Sequence, residues 1–325
     1  MALGDDFFVQ TFTTTLQKYE RQLVDNVLLE HPVLELFKSA AKSMTGRGLV
    51  VPLRAANLSS TGYTDASGTH STAVSTDILG SAVYEWADTI VTPFRVKHRD
   101  IIQNSGAEQI VNLVEEYVKA ATADHGDFIV AELHALAGAY TSGKLLPMDA
   151  IFGDAVSDAA SGVVVGGIDP NVAGKEYWQA TRLSIPASGT GSLDIVAAFR
   201  SVVNEVYRAS RKRPTHVIAG FSVYEELEAF LQSLGQYTNP QGTAQTRFNE
   251  IKFGDLTVRL DPDCQDDRAY FINQPSLRFA YCAGEFMKTF PAQPLEGTLD
   301  TVVPIASSLV FGTAERRANG LLIRA

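Results

Sequence analysis

The sequence predicts an α+β protein, on three observations. A long amphipathic helix is written into GAEQIVNLVEEYVKAATADHGDFIVAELHALAGAY, residues 106–140. A stretch rich in Gly, Ser and Thr, bounded by two strand-like runs, precedes it over residues 45–90. After it, helical and extended patterns alternate without the regular strand–helix–strand spacing of a parallel sheet.

In the long helix, apolar or small residues recur at Ile110, Val114, Tyr117, Ala121, Phe128, Leu133, Leu136 and Tyr140, mostly three or four apart. Glu115, Glu116 and Lys119 mark its polar margin, and no proline falls between Pro93 and Pro147. About 35 residues at 1.5 Å each give a rod of roughly 50 Å, some three times an ordinary globular helix. Its weak point is Asp124-His125-Gly126-Asp127, where a glycine and two short acids favour a kink or a break.

Upstream, Phe8, Phe12, Leu16, Tyr19, Leu23 and Val27 form a helical stripe that Asp5 and Asp6 can cap and Pro32 ends. A shorter helical piece runs from Val33 to Lys42. Leu49 to Leu53 and Val83 to Val91 read as strands, with a tip around Ser59 to Thr72. A two-stranded excursion alone is marginal in water, so it is expected to lie across another surface. Thr92 to Ile101 reads as a strand with Phe94, Val96 and His98 on one face and Arg95, Lys97 and Arg99 on the other.

Downstream, residues 154–178 are irregular, with a turn at Asp169-Pro170. Ser192 to Arg213 is helical through Ile195, Phe199, Val202, Val203 and Val206, and Arg211-Lys212-Arg213 sit at its negative end before Pro214. His216 to Ala219 reads as a buried strand and Val223 to Leu234 as a helix stopped by Gly235. Leu256 to Leu260 and Ala269 to Ile272 read as strands. The close, TVVPIASSLVFGTAERRANGLLIRA, reads as strand, turn at Asn319-Gly320, and strand.

The chain has 325 residues, 45% apolar and 20% charged, which is room for two compact domains and the composition of a folded protein. Its net charge of −10 argues against nucleic-acid binding as the main task, because phosphate binding runs on excess Lys and Arg. No apolar run approaches a membrane span, and the acidic start MALGDDFF lacks the basic region of a secretory signal, so the chain is expected to stay where it is made. Cys264 and Cys282 are a possible pair by parity, but without an export signal a large chain more often keeps them reduced.

The chemistry-bearing motifs are sparse. Gly138 to Leu145 has the glycine and lysine spacing of a phosphate-binding loop, yet Leu145 stands where a hydroxyl must hold magnesium, and the stretch closes a helix instead of opening one. The histidines, His31, His70, His98, His125, His134 and His216, include no i, i+4 helical pair, and no Cys-x-x-Cys accompanies them. His125 between Asp124 and Asp127 reads as a polar interruption of the long helix. The turn DPDCQDD (Asp261, Asp263, Cys264, Asp266, Asp267) lacks the glycine and glutamate of a calcium loop and reads as a solvated acidic turn. Arg95, Lys97 and Arg99 read as a solvated strand face, or as partners for acids on an adjoining subunit. No catalytic, cofactor-binding or metal-ligating residue is assigned.

The order of these elements resembles the major capsid (coat) proteins of tailed bacteriophages. DIIQNSGAEQIVNLVEEYVKAATADHGDFIVAEL is similar to that family's spine helix and its entry. RPTHVIAGFSVYEELEAFLQSLGQYTNPQGT followed by EIKFGDLTVRLDP resembles its A-domain, and FGTAERRANGLLIRA its closing P-domain strands. The resemblance implies an N-terminal arm over residues 1–44, an extended E-loop over 45–90, a P-domain over 91–190 and 286–325 with the spine helix at about 106–140, and an A-domain over 191–285. It implies a structural subunit of an icosahedral virion capsid, not an enzyme and without cofactors. Such a subunit forms pentamers and hexamers around packaged double-stranded DNA, without sequence-specific or membrane binding, in the host cytoplasm during assembly. Scaffolding and portal proteins are implied partners, with a decoration protein in some shells.

Two departures from the family shape further expectations. Some relatives carry a removable N-terminal scaffolding segment for which this sequence has no room before its arm, so a separate scaffolding protein is implied. Others crosslink through an E-loop lysine, but no lysine lies between Arg47 and Arg95. Joined lysine–asparagine peptides from this loop are therefore not expected in mass spectra of particles. The same resemblance admits a cellular encapsulating nanocompartment shell, with a cargo-docking groove formed by the arm. An α+β enzyme with an unrecognised site is the alternative of a different class.

Overall fold

The computed structural model describes residues 31–55, 79–99, 107–153, 162–186, 193–233 and 250–324. The N-terminal stripe from Phe8 to Val27 and the predicted tip of the excursion lie outside them. The first elements are α1 (Pro32–Ala40), β1 (Ala41–Met44), β2 (Gly48–Arg54), β3 (Leu79–Glu85), β4 (Ile90–Val96), α2 (Ala107–Leu133), α3 (Met148–Phe152) and β5 (Thr181–Ile185). Then come α4 (Ile195–Ser210), β6 (His216–Ala219), α5 (Phe221–Ser233), β7 (Glu250–Phe253), β8 (Leu256–Leu260) and β9 (Arg268–Ile272). The chain closes with β10 (Leu277–Cys282), β11 (Lys288–Thr289), β12 (Gln293–Pro294), β13 (Thr301–Ser307), β14 (Leu309–Thr313) and β15 (Gly320–Arg324).

A six-stranded sheet, ordered β5-β15-β9-β6-β8-β7, separates two hydrophobic cores. Along β6, Val217 and Ala219 face one core and Ile218 the other. Ala269 and Phe271 of β9 likewise oppose Tyr270 and Ile272, and Leu322 of β15 opposes Leu321 and Ile323. The sheet's central strands, covered on both faces, need apolar residues at every position, which is why VIA, AYFI and LLI are unbroken runs. α4 and α5 cover one face, burying Ile195, Phe199, Val202, Val206, Val223 and Leu227. The other face meets the larger core, built from α1, α2, α3, the β2–β3 hairpin and the remaining sheets.

In that larger core β13 carries β4 along one edge and the short β11 and β12 on the other, while β10 lies between β1 and β14. α2 packs on β4 and β13. Its buried face is Val118, Ala121, Thr122, His125, Gly126, Ile129, Val130 and Leu133, an uninterrupted i, i+3/i+4 stripe. This differs from the predicted stripe: Phe128 is 49% exposed and Leu136 44%. The helix is also continuous through Gly126 and stops at Leu133 instead of Tyr140. His125, whose sequence surroundings predict an interruption, instead anchors the buried face through Thr92 and Ser307.

Three further predicted boundaries shift for identifiable reasons. The helix expected to reach Lys42 gives way at Ala41, where parallel pairing with β10 claims the backbone. The strand expected over Val83 to Val91 is two strands, broken at residues 86–89, so that β3 pairs with β2 and β4 with β13. Asn319-Gly320 is not a hairpin turn. Asn319 is extended and fully buried, and β14 and β15 belong to different sheets. Gly320 is there because a Cβ would sit 3.0 Å from both Val202 and Val206.

Candidate functional site

The β2–β3 hairpin is enclosed on one face only. Its register runs from Gly48 opposite Glu85 to Arg54 opposite Leu79. Strand alternation turns Leu49, Val51, Ala82 and Tyr84 inward. It turns Val50 and Val83, a directly opposed pair, outward at 57% and 46% exposure, with Leu79 at 83%. Two opposed valines in water gain nothing from their pairing that a covering surface would not increase.

The base of the hairpin is bolted to the body. The Tyr84 hydroxyl donates to the Thr313 carbonyl at 2.7 Å and accepts from the Thr313 N–H at 3.1 Å, closing a buried loop of two bonds onto β14. Burial pushes the Tyr84 phenol well above its ordinary pKa, so it remains a donor at any physiological pH. Its ring fills the space where Gly312 would carry a Cβ, at 2.7 Å. Trp86 Nε1 donates to the Gly46 carbonyl at 2.8 Å, and the Ala87 N–H donates to Leu309 at 3.0 Å.

A second set of polar contacts locks α2 in place. His125 is fully buried, with Nδ1 2.9 Å from Thr92 Oγ1 on β4 and Nε2 2.8 Å from Ser307 Oγ on β13. Both partners are hydroxyls, no charge supports an imidazolium, and burial lowers the His125 pKa to about 4. Two residues on, across the helix, α2 is held from outside: His31 Nε2 is 2.9 Å from Asp127 Oδ1, and its Nδ1 is 3.3 Å from Asp263 Oδ2.

The third set joins the two cores. Asp149 on α3 accepts from the Ala137 N–H at 2.8 Å and pairs with Arg268 on β9. Arg316 is fully buried and donates to the carbonyls of Ile151, Ala150 and Gly153 at 2.8–2.9 Å, satisfying the end of α3. Asn319 accepts from the Asn273 N–H at 2.8 Å and donates to Ser276 Oγ at 3.0 Å and the Glu315 carbonyl at 3.0 Å. Sequence reading singled out none of Tyr84, Asp149, Arg268 and Arg316. A lone Tyr in an alternating strand and an Arg-Arg pair in a loop carry no signal of burial.

The residues weighed from sequence fall as follows. Gly138 lies in a short 3-10 turn after α2, Gly143 adopts φ +93°, and Lys144 pairs with Glu132 at 3.5 Å. The turn 261–267 is not simply solvated: Asp261 and Cys264 are buried, and Asp261 Oδ2 lies 3.3 Å from His134 Nε2. Burial first, and then Asp261, push the Cys264 thiol well above its usual pKa. Both cysteines are free. Arg95 does pair, but within the chain, with Asp300. The His98 N–H and then Arg95 hold the Asp300 carboxyl below its ordinary range. Among the described residues no group of three or more His, Cys, Asp or Glu is placed to hold a metal ion, and no helix is long and apolar enough to cross a membrane.

No protein-family model and no curated protein matches the chain. Solved structures do. A chain of the cyanophage A-1(L) capsid asymmetric unit is similar over 90% of this chain and 92% of its own, with a TM-score of 0.66 at 13% identity. A Gordonia phage Cozz chain is similar over 89% and 86%, with a TM-score of 0.57 at 12% identity. A chain from the capsid of an empty GTA particle is similar over 88% and 87%, with a TM-score of 0.56 at 10% identity. The chain therefore has the tailed-phage capsid fold, an α+β architecture, as its element order anticipates.

Proposed function

We propose that the chain is the structural subunit of an icosahedral virus capsid, assembling into pentamers and hexamers that enclose packaged double-stranded DNA. The observation that carries this reading is the tailed-phage capsid fold over nine-tenths of the chain. The outward valines of the hairpin agree with it, because an apolar face on a two-stranded extension is completed by a neighbour. In this reading β2–β3 is the E-loop, α2 with β4 and β13 the spine of the P-domain, and the unit from α4 to β10 the A-domain. The role is structural rather than catalytic, and the destination is the virion after assembly in the host cytoplasm. Scaffolding and portal proteins act during assembly, and a decoration protein where one coats the shell.

Negative-stain electron microscopy and sedimentation of the purified chain, expressed with and without its neighbouring genes, test the reading. Closed shells, pentamers or hexamers are expected. A monodisperse monomer or dimer under both conditions would overturn it.

A further inference from the structure

Although the chain is acidic overall, one surface is not. Between residues 200 and 213 stand five cations, Arg200, Arg208, Arg211, Lys212 and Arg213, against the single acid Glu205, a net +4 within a chain of net −10. Helical geometry collects them: the buried side of α4 is Ile195, Ala198, Phe199, Val202 and Val206, which leaves Arg200, Asn204, Tyr207, Arg208 and Arg211 together on the exposed side. A helix C-terminus attracts cations, and that accounts for Arg208 and Arg211. It does not reach Arg200, well back along the helix, nor Arg213 beyond its end.

Arg200, Asn204, Tyr207 and Arg213 line one wall of a cleft of about 230 Å³, opposite the Phe253–Leu256 turn. Arg213 lies over the Tyr207 ring at 5.4 Å and pairs with Asp255, 3.8 Å away and open to solvent. Lys212 is neutralised by Glu315. The main chain beneath is fixed: the Arg211 N–H donates to Tyr207 O at 2.8 Å, the Lys212 N–H to Ser210 Oγ at 3.0 Å, and Asn273 Nδ2 to Arg213 O at 2.8 Å. Arginine forks match phosphate oxygens two at a time. From Arg200 to Arg211 the helix rises about 16 Å, which spans roughly five steps of one DNA strand.

We propose that this arginine face of α4 is a docking surface for the phosphate backbone of double-stranded DNA, read without base sequence. The choice of DNA as the polyanion rests on the proposed capsid role, in which the shell encloses a duplex at high concentration. A modest site suffices there, in keeping with a net charge that excludes DNA binding as the chain's main task.

The test uses the full-length chain and its Arg200→Gln/Arg208→Gln/Arg211→Gln variant, with fluorescence anisotropy of a short labelled duplex across about 50–200 mM salt. Loss of three phosphate contacts makes the slope of log K against log salt shallower by about 2.7, whatever the duplex sequence. The matching triple Arg→Lys variant keeps the slope, which separates lost charge from a lost fold. An unchanged slope in the Gln variant, or no duplex binding by the wild type at the lowest salt, overturns the proposal. So does arginine-dependent binding of polyglutamate in place of DNA, which would assign the face to an acidic protein. Sedimentation of the same preparations keeps the two readings apart. Shells, pentamers or hexamers without arginine-dependent binding remove the DNA surface alone, whereas a monodisperse monomer or dimer in both proteins, with and without the neighbouring genes, removes the capsid role.

Discussion

Gly312→Ala is the sharpest test of how the hairpin is held. A Cβ at Gly312 would meet Tyr84 at 2.7 Å from both Cε1 and Cζ and 2.8 Å from Cδ1, well inside contact distance and against a ring that is 4% exposed. The ring cannot yield without moving its hydroxyl off Thr313, where it both donates and accepts. Overpacking of this kind costs about 1–3 kcal/mol, and the two displaced hydrogen bonds add about 1 kcal/mol each. A destabilisation of roughly 3–5 kcal/mol is expected in urea unfolding of the full chain, with faster hydrogen exchange in β2 and β3 than in β6 or β9. The mechanism is separable by a double-mutant cycle. Tyr84→Ala opens the space, so adding Gly312→Ala to it should cost little, leaving a coupling on the order of 3 kcal/mol between the two positions. If Gly312→Ala costs as much without the ring as with it, the steric argument is wrong.

Three other outcomes are expected. His125 has a folded pKa of about 4 against an ordinary 6.5, so the unfolded chain binds its proton first as pH falls. Stability is therefore full above pH 6.5 and declines through the window down to pH 4, by on the order of 3 kcal/mol, and His125→Gln should flatten that part of a urea-midpoint profile. Arg316→Met strips three backbone carbonyls of their donor in a fully buried site and is expected to cost about 3–5 kcal/mol. Arg316→Lys should recover little of this, since an ammonium cannot reproduce the planar fork, and recovery to near wild-type stability would refute the geometry. The Cys264 thiol, buried and beside Asp261, should resist iodoacetamide in the native chain and react only on unfolding; its modification under native conditions, seen by mass spectrometry, would contradict its placement.

Where one physical rule decides, the sequence was readable. β6 and β8 are where their apolar runs put them, and α4 buries the stripe Ile195, Phe199, Val202 and Val206 that its period predicts. It was misread where tertiary contacts outvote local preference. Gly126 costs about 1 kcal/mol in a helix interior, yet the residues on either side of it are held, His125 by Thr92 and Ser307 and Asp127 by His31. Those partners lie 33, 182 and 96 residues away in sequence, beyond any local window. The same holds for Asn319-Gly320, a hairpin signal in isolation. Here the asparagine serves a buried network and the glycine makes room for Val202 and Val206. The excursion itself was visible, but which of its valines face outward depends on the β2–β3 register that sets Val50 opposite Val83.

The distribution of polar and apolar groups gives the fold a particular mechanical character. Buried polar side chains join elements distant in sequence: Tyr84 to Thr313, His125 to Ser307, Asp149 to Arg268, and Arg316 to the carbonyls at the end of α3. Each fixes geometry more than it adds net stability, because its alternative is an unsatisfied buried group. Apolar groups left in water include Val50, Val83 and Leu79 on the hairpin, Leu299 in the β12–β13 connection, and Val91 and Phe128 on β4 and α2. Covering one such side chain is worth at most about 1.5–3 kcal/mol, too little to hold two subunits together once the entropy of association is counted. A shell built from such contacts would hold through their number and through the rigidity of what presents them. In a body braced in this way, a small rotation at the hairpin base would move Val50 and Val83 together, as one surface.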